Sequence, residues 1–182
     1  LEPESDRIEP YTPDKKSYSY HFFSDASASN PEANHRAISG GIGMLAGGAI
    51  QARSSRLHLA SPNSYASEAV SAGDNLNVVV PVNGVLQELR IRQGTPTPFY
   101  LDSASTVLVS EDNGSVKKCV WLARRVAVLH DACHEQHREI VPVFIPERRM
   151  VADGFTKYLV QAVWMRHIRY LLNFDQTHQP SP

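Results

Sequence analysis

Residues 143–159 read VFIPERRMVADGFTKYL, an apolar run, a proline, and then an acidic residue at the start of a new segment. Residues 140–145 (IVPVFI) are short, apolar and rich in β-branched side chains, as a buried strand should be, and Pro146 stops them. Residues 150–172 then read as a helix, which puts Asp153 on its first turn.

Working back from there, the same plan recurs. Residues 116–135 form a long helix with Val120, Ala123, Val126, Ala127 and Leu129 facing the core. Asn113-Gly114 is a turn, and residues 103–110 are one short helix. Residues 98–101 are a short buried strand ending at Asp102. Residues 65–79 can be a helix, capped by Ser64 with Ser67 in its first turn. Pro81 ends or kinks it, and residues 82–93 resume with Val85, Leu86 and Leu89 at helical spacing. Gly94 suits the stop. Nearer the start, residues 18–25 alternate aromatic and small polar side chains. A loop through Asn30, Pro31 and Asn34 leads to a strand at 38–45. Gly47-Gly48 turns the chain back into a third strand at 49–53. The order is three antiparallel strands, helix, strand, helix, strand, helix. That predicts an α/β fold with a five-stranded mixed sheet, three antiparallel strands then two parallel ones, flanked by helices.

The chain fits one domain at 17–173, with a linker or N-terminal arm at 1–16 and a flexible tail at 174–182. Its formal charge of -1 excludes a global basic field, so any nucleic-acid contact must come from local patches. Cys119 and Cys133 lie in one predicted helix, roughly 21 Å apart at helical rise, too far to bridge. A reducing compartment fits better than a disulfide framework. No apolar run is long enough to span a bilayer, and no signal peptide is visible. The first residue, Leu1, reads as the start of a piece of a longer polypeptide.

Asp25 and Asp102 each end a strand, where ligand-binding groups collect in open α/β sheets. Glu68 and Asp153 each fall in a helix first turn. Singly, such residues are ordinarily turn formers, caps or dipole partners. Together at one pole they would repel, by about 4 kcal/mol per close pair at an effective dielectric near 20, unless cations neutralised them. Hard oxygen donors select magnesium or manganese over zinc.

Five segments in order resemble the ribonuclease H domain of copia-type (Pseudoviridae) LTR retrotransposon Pol polyproteins. FFSDAS at 22–27 is similar to the strand with the first catalytic Asp. ISGGIGMLAGGAIQARSSR at 38–56 resembles the glycine-paired hairpin. SYASEAVSA at 64–72 looks like the SSTEAEYIA-type helix, with Glu68 on the catalytic Glu. YLDSAST at 100–106 resembles the YCDNQSA-type motif at Asp102. The opening stretch resembles the VPTEEQLADIFTKPL-type signature and puts Asp153 as the fourth carboxylate. Departures are Ala66 at the motif's first Glu, Tyr158 where Pro is usual, and ARRVAVLHDACHEQH in place of a KHID-type run.

The resemblance implies a ribonuclease H-like fold and an endonuclease cutting the RNA strand of RNA–DNA hybrids with two Mg2+ ions, Mn2+ substituting. It implies Asp25, Glu68, Asp102 and Asp153 as catalytic residues and metal ligands, and 5′-phosphate products. It also implies an upstream reverse transcriptase in the same polyprotein, and an intracellular setting: cytoplasm, virus-like particle or nucleus. Ser27, Ser29, Asn63 and Ser103 flank the acidic motifs as candidate sugar–phosphate contacts. Arg53, Arg56, Lys117, Lys118, Arg124 and Arg125 are candidates for phosphate grip, though such residues ordinarily form turns and solvated surfaces. His130 and His134 share a helix face with Cys133 between them and His137 beyond, but no compact motif completes a zinc site. A histidine assisting product release is known in related nucleases, and nothing in the sequence selects one here. The alternatives are a catalytically weak or host-captured module that binds nucleic acid or a polymerase, and an integrase-type core. The position of the Glu as second carboxylate argues against the latter.

Overall fold

The computed structural model describes residues 19–27, 36–58, 63–91, 96–111, 120–134 and 138–173. The predicted arm, tail, first loop and Asn113-Gly114 turn lie outside them, as do Ser29, Gly94, Lys117, Lys118, Cys119 and His137.

The strands are β1 (Tyr20–Ala26), β2 (Ile38–Leu45), β3 (Gly48–Arg56), β4 (Thr97–Leu101) and β5 (Ile140–Phe144). The helices are α1 (Ser64–Glu88), α2 (Ala104–Glu111), α3 (Val120–Cys133) and α4 (Gln161–Leu171). Two 3-10 turns, Glu147–Arg149 and Val151–Phe155, link β5 to α4. The sheet order is β3-β2-β1-β4-β5. The first three strands pair antiparallel, and β1–β4 and β4–β5 pair parallel, as the predicted mixed sheet requires.

β1 is central and buried along its whole length because both faces of the sheet are covered. Its side chains alternate between two cores. Tyr20 and Phe22 pack with Ala72, Leu76 and Val79 of α1, Phe99 of β4 and Leu129 of α3. Phe23 packs the other way, with Ile42, Met44, Met150, Val151, Ala152 and Leu171. A third cluster, including Ala66, Ala69, Val70, Leu122 and Val126, locks α1 to α3.

Four local expectations are corrected. The helix cap is Asn63, whose Oδ1 accepts from Ala66 N at 2.8 Å, and Ser64 is already helical. Pro81 does not end α1, which runs 25 residues through it. Pro81 and Asn77, the residue whose carbonyl loses its partner, are both on the exposed side, where water can replace the bond. Buried Val79 and Leu86 anchor the helix on either side. The hairpin turns at Ala46-Gly47, both at positive φ (52° and 81°), one residue before the expected Gly pair. Gly48 is therefore strand, paired with Leu45, and the register shifts between Gly43 and Met44. Residues 150–172 are not one helix. The chain makes the Val151–Phe155 turn, runs non-helical through Val160, and only then enters α4. Asp153 thus lies on a 3-10 turn rather than on the last helix.

Candidate active site

Parallel pairing of β1 and β4 aligns Phe22 with Phe99 and Phe23 with Tyr100. Carrying that register on brings Asp25 level with Asp102, two carboxylates at the same edge on adjacent strands. Glu68, in the first turns of α1, reaches this edge and accepts from the backbone N–H of Ala26. Asp25, Glu68 and Asp102 each offer a carboxylate oxygen, all within 4.8 Å of one another. Among the described residues they form the one group of three metal-capable side chains. Asp25 and Glu68 are buried and Asp102 is half-buried.

The fourth carboxylate arrives from the other face. Ser39-Gly40-Gly41 of β2 sits beneath the Val151–Phe155 turn. A Cβ on Gly40 would meet Thr156 Cγ2 at 2.6 Å and Ala152 O at 3.0 Å, so only glycine lets the turn settle there. Gly40 is the register partner of Asp25, and the seated turn brings Thr156 Oγ1 onto Asp25 Oδ2 as a donor. Asp153 lies beside Asp25, whose charge raises its pKa. From behind, α4 closes the turn. His167 hydrogen-bonds to the backbone of Val151, and Trp164 packs over Gly154.

A buried polar network fixes the end of β1. Ser71 Oγ donates to Asp25 O at 2.7 Å and lies 2.7 Å from Ser39 Oγ. Asn75 Nδ2 donates to Ser24 Oγ at 2.9 Å and Gly40 O at 3.0 Å. Sequence reasoning missed these residues. The available signal was a polar stripe, Glu68, Ser71 and Asn75, at helical spacing on the face of α1 that is otherwise apolar. It also missed Thr156 and Lys157, which follow Asp153 by three and four residues.

The electrostatics are those of crowded anions. Glu68 is pushed up to about 9, first by burial and then by Asp25 and Asp102. Asp102 is pushed up to about 6 by burial and Asp25, with Lys157 opposing. Asp153 is raised by burial and by Asp25, and Lys157 again opposes. Lys157 Nζ lies 2.9 Å from Asp153 Oδ2 and 2.8 Å from Glu147 Oε1. Glu68 Oε2 and Asp153 Oδ1 are buried with no hydrogen-bond partner among the described residues. Orphaned acceptors in a knot of carboxylates fit a hard divalent cation, which would satisfy both the oxygens and the charge.

The remaining predicted residues are placed as follows. Ser27 Oγ accepts from Ile38 N at 2.9 Å. Ser103 Oγ accepts from Thr106 N and Thr106 Oγ1 at the start of α2. Arg53 Nη1 donates to Asp74 O, and Arg125 pairs with the Asp74 carboxylate, so the structure engages both within the fold. Arg56 and Arg124 are exposed. The rings of His130 and His134 lie 5.9 Å apart, tilted by 45° to each other, at the end of α3. That end leads into the start of β5, the opposite edge of the sheet from Asp25 and Asp102.

No family model matches the sequence, and no curated protein does. Solved structures match the fold. LC11-RNase H1, isolated from compost by a metagenomic approach, superposes with a TM-score of 0.56 at 15% identity, covering 76% of this chain and 93% of that one. The N-terminal RNase H domain of a Mycobacterium tuberculosis protein gives 0.55 at 16%, covering 82% and 98%. A foamy viral protease-reverse transcriptase, solved in complex with RNA/DNA hybrid, gives 0.54 at 14%, covering 81% of this chain and 21% of that one. The fold is ribonuclease H-like.

Proposed function

We propose that this chain is a ribonuclease H, hydrolysing the RNA strand of RNA–DNA hybrids, as the 17–173 domain of a copia-type retrotransposon polyprotein beside its reverse transcriptase. The observation that carries the reading is the cluster of Asp25, Glu68 and Asp102 on one edge of a ribonuclease H-like sheet, with Asp153 brought against Asp25. Asp25, Glu68 and Asp102 would hold one divalent ion, and Asp25 with Asp153 a second. Bound magnesium supplies Lewis-acid stabilisation of charge on the phosphate and a water of lowered pKa.

The chain's own residues do the rest. The Thr156 hydroxyl fixes the rotamer of Asp25, and Ser71 fixes its backbone, so the shared carboxylate is held before any ligand arrives. Burial of Glu68 and Asp153 keeps their oxygens from bulk water, which strengthens their hold on a cation. Asn63 and Ser103 stand at the starts of α1 and α2, five residues before Glu68 and one after Asp102. There they can meet sugar or phosphate. Selection of a hybrid would rest on 2′-hydroxyls and groove shape rather than base edges.

The test is cleavage of labelled RNA–DNA hybrid, duplex RNA and duplex DNA in magnesium, manganese or EDTA, beside Asp102→Asn. Metal-dependent cutting confined to the RNA of the hybrid, lost in the variant, is expected. A folded protein that cuts none of them under either metal, alone or joined to a reverse transcriptase, refutes the nuclease.

A further inference from the structure

Lys157 joins two very unequal anions. The Asp153 side chain is 7% exposed and that of Glu147 is 73% exposed, while Lys157 itself is 37% exposed. Water solvates Glu147 without help, so Glu147 has little need of an ion pair. Asp153 is different: it is buried against Asp25 and outside the compact Asp25, Glu68 and Asp102 group, and among the described residues the one cation paired with it is the ammonium of Lys157, at its Oδ2. Its Oδ1 is buried and accepts no hydrogen bond from the described residues. A divalent ion between Asp25 and Asp153 would face that ammonium at close range. Lysine has a flexible stem, and its second partner lies on the solvent side.

From this arrangement we propose that Lys157 is a tethered resident cation, neutralising Asp153 until a second divalent ion arrives and then held aside by Glu147. The inference rests on the metal-dependent reading of the site and deepens it. Lys157 and the second ion compete for Asp153, so that ion binds more weakly than the first. The outer carboxylate sets the balance, because Glu147 lowers the penalty of moving the ammonium away. The two residues therefore act with opposite signs on the same ion, which a merely structural role for the pair would not produce.

The test is Mn2+ binding to the intact chain, followed by calorimetry and by the paramagnetic signal of free Mn2+, without nucleic acid. The wild type is expected to show a tighter and a weaker class, with Asp153→Asn abolishing the weaker. In Lys157→Met the weaker class should tighten by roughly five- to tenfold, the scale of losing one adjacent counter-charge. In Glu147→Gln it should weaken by about threefold, and the tighter class should move by less than about twofold in both variants. Lys157→Gln serves where the Met variant does not fold. An unchanged or weaker second class in the Lys157 variants overturns the proposal, as does its survival in Asp153→Asn or a single ion in every variant. Each of those leaves the nuclease reading standing. No Mn2+ bound by folded wild type defeats both.

Discussion

Replacing Glu68 by Gln removes an ionisable group from the carboxylate cluster while keeping its shape, and it should stabilise the metal-free protein. The Glu68 carboxyl has a folded-state pKa of about 9 against 4.5 for the free group. An acid raised in this way binds its proton more tightly when folded. Its contribution to stability is therefore complete below pH 4.5 and is lost as pH rises toward 9. At about pH 7.5 the gross cost of that mismatch is about 4 kcal/mol. Neighbouring carboxylates share protons and Asp102 beside it is only half-buried, so a net gain of about 2 kcal/mol is expected for Glu68→Gln, or about 5 °C in Tm. The assay is urea and thermal unfolding in EDTA at a series of pH values, repeated with magnesium. The variant's advantage should be largest at about pH 8 and shrink toward about pH 5, where the unfolded wild type also begins to hold its proton and the mismatch between the two states closes. On the proposed metal-dependent reading, magnesium should raise the wild type and close the gap, because only the wild type retains every carboxylate of the cluster. Equal or lower stability of Glu68→Gln in EDTA at high pH, or an advantage independent of pH, would refute the electrostatic account.

Gly40→Ala should displace the Val151–Phe155 turn, costing about 1–3 kcal/mol by overpacking and abolishing Mn2+ binding at Asp153 before it unfolds the sheet. Unaltered Mn2+ stoichiometry would show that the turn does not depend on that glycine. Asn75→Ala strips donors from Ser24 and Gly40, and a loss of about 2 kcal/mol in urea unfolding is expected, against near-neutrality if water fills the gap. His167 is pushed down to about 4, first by burial and then by the charge of Arg166. Its contribution is present above pH 6.5 and fades as pH falls toward 4, so the wild type should lose stability over that window and His167→Gln should not. Parallel pH profiles for the two would discard that assignment.

Strand and helix order was legible because each element carries its own period. Residues 38–45 were bounded from sequence as β2 is observed, and the apolar tetrapeptide ending at Leu101 pointed to β4. What was illegible depends on contacts between distant segments. Pro81 looks like a helix end until its exposed side is known. Residues 150–172 have the composition of one helix, and the fold interrupts them because Thr156 is drawn to Asp25 and Gly154 lies under Trp164. The same holds within the site. Asp25 and Asp102 could be placed together from their positions at strand ends. The Ser71–Asn75 network and the Lys157 pairing could not, since Ser, Asn and Lys on a helix or turn ordinarily face water.

The hydroxyl of Thr156 and the carboxylate of Asp25 meet across 131 positions of chain. During synthesis, β1, β2, β3 and α1 leave the ribosome long before the Val151–Phe155 turn exists, and the bed made by Gly40 stays open to solvent until then. A nascent chain halted after α3 would carry the Asp25, Glu68 and Asp102 segments but neither Asp153 nor the threonine that orients Asp25. The order of translation thus keeps the fourth carboxylate from the site until the rest of the sheet has been made.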